Sequence, residues 1–244
     1  MILKEHNLLY ISDMHDFTYG NRLYKKIKDL KPDIILIGGD IINKTDSDLN
    51  ESIIAFLKKI SGLSKIYFSN GNHEEYAKEY NEGLYNSLDK KLKENGICHI
   101  SNESIEDNDL CITSLELPLS YYAKKKVKAF DKNEIDGLLK QNIVSNKYNI
   151  LLCHNPRYMD DLKEYNPNLI LSGHTHGGLV RIPLIGAVLN PEFELFPKYS
   201  GGMYHIKDDI IGIISCGLFT HGFHIRIFNM AELIMINLKP EDKD

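Results

Sequence analysis

Ile34-Ile35-Leu36-Ile37-Gly38-Gly39-Asp40 is the stretch on which the fold class turns. Four consecutive apolar residues follow the helix-breaking Lys31-Pro32-Asp33 and run into two glycines. That is the pattern of a short strand buried on both faces. Upstream, residues 21–30 carry Leu23, Ile27 and Leu30 at helical spacing, and residues 8–12 form an apolar run that ends at Asp13. Downstream, Ile53, Phe56, Leu57 and Ile60 predict a helix over 52–60, and a third strand over 65–69 runs into Asn70-Gly71-Asn72-His73. Two successive strand–helix–strand units imply parallel strands joined by right-handed crossovers.

Beyond this frame, a helix is expected over 84–95, stopped by Gly96, then short strands over 97–100, 104–105 and 110–115. Asp131 is placed to cap a helix over 131–141. Strands over 149–153 and 168–171 end at His154 and at Gly173-His174-Thr175-His176, and 179–182 continues as strand. Pro183, Pro191 and Pro197 mark 183–200 as an irregular loop. Residues 203–214 read as a hairpin turning at Asp208-Asp209, and strands over 225–228 and 233–238 finish the chain. The expectation is an α/β layered fold with two sheets in one domain over residues 1–244, its last third mostly antiparallel.

Composition narrows the function classes. Apolar residues at 43% and charged residues at 26% exclude a mostly disordered chain. A formal net charge of −5 provides no global basic field for long nucleic acid, so no stable nucleic-acid complex is expected. Cys98, Cys111, Cys153 and Cys216 are scattered without a CxxC, which fits reduced thiols and a cytoplasmic location. The N-terminal residues show no signal peptide, and the longest apolar runs, such as Ile34–Ile37 and Ile210–Ile214, fall far short of a membrane span. Peripheral membrane contact stays open, as does the oligomeric state.

The chemistry lies in where the metal-type residues fall. Asp13 and His15, Asp40, Asn72 and His73, His154, and His174 and His176 each follow a predicted strand. Sites in open α/β sheets form outside the carboxyl ends of strands, so five strands deliver oxygen or imidazole groups to one rim. His with carboxylate suits Mn, Fe, Zn or Ni better than Ca or Mg. Eight candidate positions exceed what one tetrahedral ion uses and suit two divalent ions. Two ions about 3.5–4 Å apart clamp a phosphoryl group and activate water.

Asp13-Met14-His15, Gly39-Asp40, Gly71-Asn72-His73-Glu74, His154 and Gly173-His174-Thr175-His176 resemble the five sequence blocks of the calcineurin-like metallophosphoesterases. Gly177-Gly178, Ile182-Pro183, Gly186, Arg226 and Glu232 are similar to a bacterial phosphodiesterase-like branch. Leu179, where the branch carries a polar residue, and Ala231, where it carries proline, depart from it, and the leader or anchor common in the branch is not expected here. The resemblance implies a four-layer α-β-β-α sandwich with two mixed central sheets. It implies that Asp13, His15, Asp40 and His176 hold one ion, and that Asp40, Asn72, His154 and His174 hold the other. His73 would face the phosphate, with Asp40 as the carboxylate that offsets the cationic field around it; Asp40 and His73 are thus the expected catalytic pair. Asn72, His73 and Asn155 are the expected substrate contacts. The implied activity is metal-dependent hydrolysis of a phosphodiester or pyrophosphate bond in a small phosphate ester, through a hydroxide activated between two metals.

A nuclease of the same superfamily is a second reading, and a non-catalytic protein-binding scaffold a third. Lys124, Lys125, Lys126 and Lys128 read as a solvated loop in preference to a lid over an anionic substrate, and Tyr121 and Tyr122 as neighbours packing on opposite faces in preference to stacking on a base or sugar. One of His221 and His224 is placed to line the cleft, and Arg157 is read as a helix-start residue within reach of phosphate.

Overall fold

The computed structural model describes residues 2–124, 126–139, 146–178, 180–182, 186–190, 194–207, 209–219 and 226–240. The opening βα units are β1 (His6–Ile11), α1 (Asn21–Leu30), β2 (Ile34–Ile37), α2 (Glu51–Ser61) and β3 (Lys65–Phe68). They continue into α3 (Asn72–Tyr80), α4 (Glu82–Glu94) and β4 (Cys98–His99). The second half comprises β5 (Ser104–Asp107), β6 (Leu110–Ser114), α5 (Lys132–Leu138), β7 (Tyr148–Leu152), α6 (Met159–Leu162) and β8 (Leu169–Ser172). The strands β9 (Val180–Ile182), β10 (Gly186–Leu189), β11 (Gly202–Lys207), β12 (Ile210–Ile214) and β13 (Ile234–Leu238) follow.

The strands form a five-stranded sheet ordered β13-β1-β2-β3-β4, a six-stranded sheet ordered β11-β12-β8-β7-β6-β5, and a β9–β10 ribbon. Within the first sheet β1 to β4 are parallel and β13 is antiparallel. Within the second, β6, β7, β8 and β12 are parallel, flanked by antiparallel β5 and β11.

Side-chain alternation turns these sheets into four layers. On the first sheet Leu9, Ile11, Ile35, Ile37, Ile66 and Phe68 pack against Leu23, Ile27, Ile53, Leu57 and Leu88 from α1, α2 and α4. The alternate residues Leu8, Tyr10, Ile34, Leu36 and Tyr67 meet Ile112, Ile150, Leu152, Leu169 and Leu171 of the second sheet. The far face of the second sheet, through Leu151, Ile170 and Ile214, covers Ile135, Met159 and Leu162 of α5 and α6. A period of two therefore feeds two separate cores from each strand, and the result is the α-β-β-α sandwich with two mixed sheets. All four residues of β2 are buried, as a strand between two layers requires.

Several local expectations shift. Helix α3 was not legible, because Glu74, Glu75, Lys78 and Glu79 break up its apolar face and only Ala77 is a buried hydrophobe there. The loop expected over 183–200 contains β10, which pairs with β9. No strand forms at residues 226–228: Ile227 makes a single bridge to Val180, and a φ of 52° at Phe228 turns the chain out of extended geometry. Ile225, Leu179 and Asp208 lie outside the described residues. The Asp131 cap forms, its carboxylate accepting the N–H groups of Asn133 and Glu134. Among the described residues no helix is long and apolar enough to cross a membrane.

Two buried carboxylates hold the layers and loops in register. Glu74, fully buried in the first turn of α3, accepts the N–H groups of Asp40 (2.7 Å), Gly71 (2.8 Å), Ile41 (2.9 Å) and Ile42 (3.2 Å). It thereby staples the loop after β2 to the loop after β3. At the opposite edge, Asp109 accepts the Leu3 N–H (2.5 Å) and contacts His6 Nε2 (2.6 Å), tying the start of β1 to the β5–β6 turn. Burial alone would raise the Asp109 carboxyl, but the Leu3 N–H and His6 outweigh it and hold it at about 2.

Replacing Glu74 by Ala leaves four backbone donors without their acceptor. The variant is expected to lose on the order of 3 kcal/mol or more, read from the urea midpoint; a loss under about 0.5 kcal/mol would contradict the staple. For Asp109 the folded pKa lies below its unfolded value. Its contribution is therefore present above roughly pH 4 and disappears as pH falls towards 2. The stability gap between the native chain and Asp109→Asn should shrink across that window, and a gap independent of pH would exclude the clasp.

Candidate metal centre and active site

Register places the candidate residues. Ile11 pairs with Ile37 and Ile37 with Phe68, so β1, β2 and β3 end level, and Asp13, Asp40 and Asn72 follow within a few residues. Leu152 pairs with Leu171 and Ser172 with Ile214, so His154 and His174 leave the second sheet at one level. Backbone bonds then lock the loops together: Asp13 N–H to Gly39 O and His15 N–H to Asp40 O, each 3.0 Å, Gly173 N–H to His154 O at 3.0 Å, and Phe219 N–H to Asp13 O at 2.9 Å. The loops approach so closely that a Cβ on Gly71 would strike the Asp40 carboxylate, and one on Gly173 the Asp13 carboxylate. Asp13, His15, Asp40, His174 and His176 all adopt positive φ, between 45° and 66°. Such backbone conformations cost about 1–3 kcal/mol each and persist only where the surroundings over-determine them.

Six of the seven expected ligand positions converge in close groups. Potential ligating atoms of Asp13, His15 and His176 lie within 4.8 Å of one another, and those of Asp40, His154 and His174 do the same. His15, Asp40 and His73 form a third such group that joins the two. Asn72 lies beside them, its Oδ1 buried and without a hydrogen-bond partner.

The imidazoles are aimed by their outer nitrogens. His154 Nδ1 donates to Gly38 O at 2.6 Å, and His176 Nδ1 donates to Phe219 O at 2.9 Å. Each ring therefore presents Nε2 inward, with its lone pair available. His154 Nε2 then faces Asp40 Oδ2 at 3.2 Å and Asp13 Oδ1 at 3.7 Å. Against two buried carboxylates this Nε2 must either carry a proton or face a cation. Burial would lower His154, yet Asp40 and Asp13 push it up to about 10. Asp40 is buried too, which would raise it, but His154, His73 and His15 hold it well below the usual carboxylate range. A divalent cation meets the same demand, and the donor set of imidazole, carboxylate and amide oxygen fits one.

His73 sits at the head of α3. Its backbone N–H donates to Asp40 Oδ1 at 2.8 Å, and its Nε2 lies 4.0 Å from Asp40 Oδ2. The Lys44 backbone N–H donates to its Nδ1 at 3.0 Å. Nδ1 is thus an acceptor, and the hydrogen bond assigns the ring proton to Nε2.

A cavity of about 310 Å³ opens over this group, lined by Asp40, Asn72, His73, His174 and His176 and also by Lys44, Tyr76, Leu119, Tyr122 and Lys124. Asn155 does not line it. Its amide donates to Tyr121 O at 3.0 Å and accepts the Arg157 N–H at 3.1 Å, and it borders a separate cavity of about 90 Å³ with Arg157. Arg157 Nη2 lies 3.8 Å from the Glu194 carboxylate. His221 and His224 lie outside the described residues. Sequence reasoning missed Glu74 as the organiser of the ligand loops, although glutamate at the third position of a helix is a capping signal. It also missed Lys44 and preferred a solvated loop over an anion-covering lid for Lys124, because nothing local distinguishes a cavity lysine from a solvated one.

Comparison with known proteins follows from this geometry. The chain is 25% identical to an uncharacterized metallophosphoesterase of Campylobacter jejuni over 97% of its own length and 60% of the relative's. It is 27% identical to one from Helicobacter pylori, over 98% and 61%, and 27% identical to YkoQ of Bacillus subtilis, over 94% and 82%. The chain thus spans about three-fifths of the first two relatives. Among solved structures it is similar to the phosphopantetheinyl hydrolase of Mycobacterium tuberculosis, with a TM-score of 0.49, 15% identity, and coverage of 87% and 89%. The family model for calcineurin-like phosphoesterases matches residues 6–178, and the chain belongs to that family.

Proposed function

We propose that the chain is a dinuclear, metal-dependent phosphoester hydrolase acting on phosphodiester or pyrophosphate bonds of a small substrate. The observation that carries this reading is the pair of Asp/His groups that meet at the buried Asp40 carboxylate. Asp13, His15, Asp40 and His176 would hold one ion, and Asp40, Asn72, His154 and His174 the other. Mn, Fe, Zn and Ni match these donors. Divalent ions in these places would polarise phosphate oxygens and supply hydroxide at neutral pH.

The remaining chemistry belongs to the chain. The carbonyls of Gly38 and Phe219 orient His154 and His176 so that Nε2 of each would face a metal. Asn72 contributes oxygen without adding charge, which keeps the centre open to an anion. His73 extends Nε2–H towards the cavity as a neutral donor, held from behind by the Lys44 N–H. In that state it stabilises negative charge on the leaving or non-bridging oxygen. Four free thiols fit a reducing, cytoplasmic setting, and three core clusters fed by two shared sheets support a single domain.

Chelated protein should be inactive towards bis-(p-nitrophenyl) phosphate and regain activity with Mn²⁺. His73→Ala should lower kcat by about 10²–10³ with metal content unchanged by elemental analysis. Equal hydrolysis with and without metal would overturn the metal requirement, and full activity of His73→Ala would remove that residue from the reaction.

A further inference from the structure

The cavity lining carries more lysines than carboxylates: Asp40 is the one carboxylate among its described residues. The same lining carries two lysines from unrelated loops, Lys44 after β2 and Lys124 after the turn Leu119–Tyr122. Both loops are anchored. Lys44 is fixed by its N–H to His73, and its ammonium lies 5.5 Å from the centroid of the Tyr76 ring at the cavity wall. The Lys124 turn is pinned at Tyr121, whose carbonyl accepts from Asn155 (3.0 Å) and Tyr158 (3.2 Å) and whose hydroxyl donates to Glu134 (2.7 Å). The next residue, Tyr122, packs its ring 5.0 Å from that of His174. The basic run is therefore divided: Lys128 pairs with Glu134 away from the cavity, whereas Lys124 lines it.

A simple diester brings one negative charge, and that charge belongs at the imidazole side. Two further ammonium groups in the lining match a second anion, with Tyr76, Tyr122 and Leu119 giving apolar and aromatic surface to an organic substituent. Resting on the phosphoester-hydrolase reading above, we propose that Lys44 and Lys124 bind the second phosphate of a disubstituted diphosphate. Hydrolysis consumes one water. Its oxygen bonds to the phosphorus beside His73, the bond from that phosphorus to the bridging oxygen breaks, and the bridging oxygen departs on the phosphate held by the lysines. The products are two phosphomonoesters, and the water protons pass to solvent.

The test is calorimetry on the Mn²⁺-loaded full chain with methylenediphosphonate and methylphosphonate, for the native protein, Lys44→Ala, Lys124→Ala and the double variant. The native protein should bind the diphosphonate at least about tenfold more tightly than the monophosphonate. Each single variant should lose several-fold of that preference and the double variant nearly all of it. The lysine dependence separates the subsite from chelation by the metals alone. Absence of a preference in the native protein, or a preference that survives in the double variant, would overturn the proposal. A parallel assay uses bis-(p-nitrophenyl) phosphate and a nucleoside diphosphate sugar. Hydrolysis of the former without the latter would overturn the diphosphate assignment and leave the hydrolase reading intact. A lysine-dependent preference in a protein that hydrolyses neither would uphold the subsite and contradict the hydrolase reading.

Discussion

A carboxylate removed from water among three imidazoles governs this molecule. Asp40 Oδ2 lies 3.2 Å from His154 Nε2 and 4.0 Å from both His15 Nε2 and His73 Nε2. A buried charge of this kind costs several kcal/mol unless positive charge stands beside it. The imidazoles come from three different loops of two sheets, so the fold and the compensation of that charge are one problem. Asp40 also gives its N–H to Glu74 and takes the N–H of His73. One residue thus fixes the relation between the loops after β2 and β3 while offering its side chain to the rest.

The cores make this arrangement affordable in energetic terms. Each strand of the two sheets serves two apolar layers, and fully burying one Ile or Leu side chain contributes about 1.5–3 kcal/mol. That reserve supports five positive-φ residues at the rim, none of them glycine. It also holds two imidazoles whose tautomers are set by main-chain carbonyls rather than by mobile side chains. The rim is consequently rigid on its imidazole side. Elsewhere in the lining, Tyr122 and Lys124 follow Tyr121, which three hydrogen bonds pin.

The strands that carry the ligands were legible because two-sided burial writes itself as uninterrupted apolar runs, each stopped by Asp, His or Gly. Ile34–Ile37 and Asn21–Leu30 end where pattern reading puts them. Helix α3 escaped because its position is set by the Glu74 staple, a long-range contact, and not by an apolar stripe. Strand β10 escaped because its pairing with β9 overrides the prolines around it. The site's metal-type residues were visible as chemistry in order along the chain. Its lysines were not: the distinction between Lys124 and Lys128 depends on which one Glu134 captures, and only tertiary structure decides that.

The most direct test of the account is a crystal of the chain soaked in Mn²⁺ and measured at the manganese absorption edge. The account predicts two anomalous peaks per chain, one among Asp13, His15 and His176 and one among His154, His174 and Asn72, with Asp40 touching both. A single peak, no peak, or a pair in which Asp40 contacts neither would contradict it.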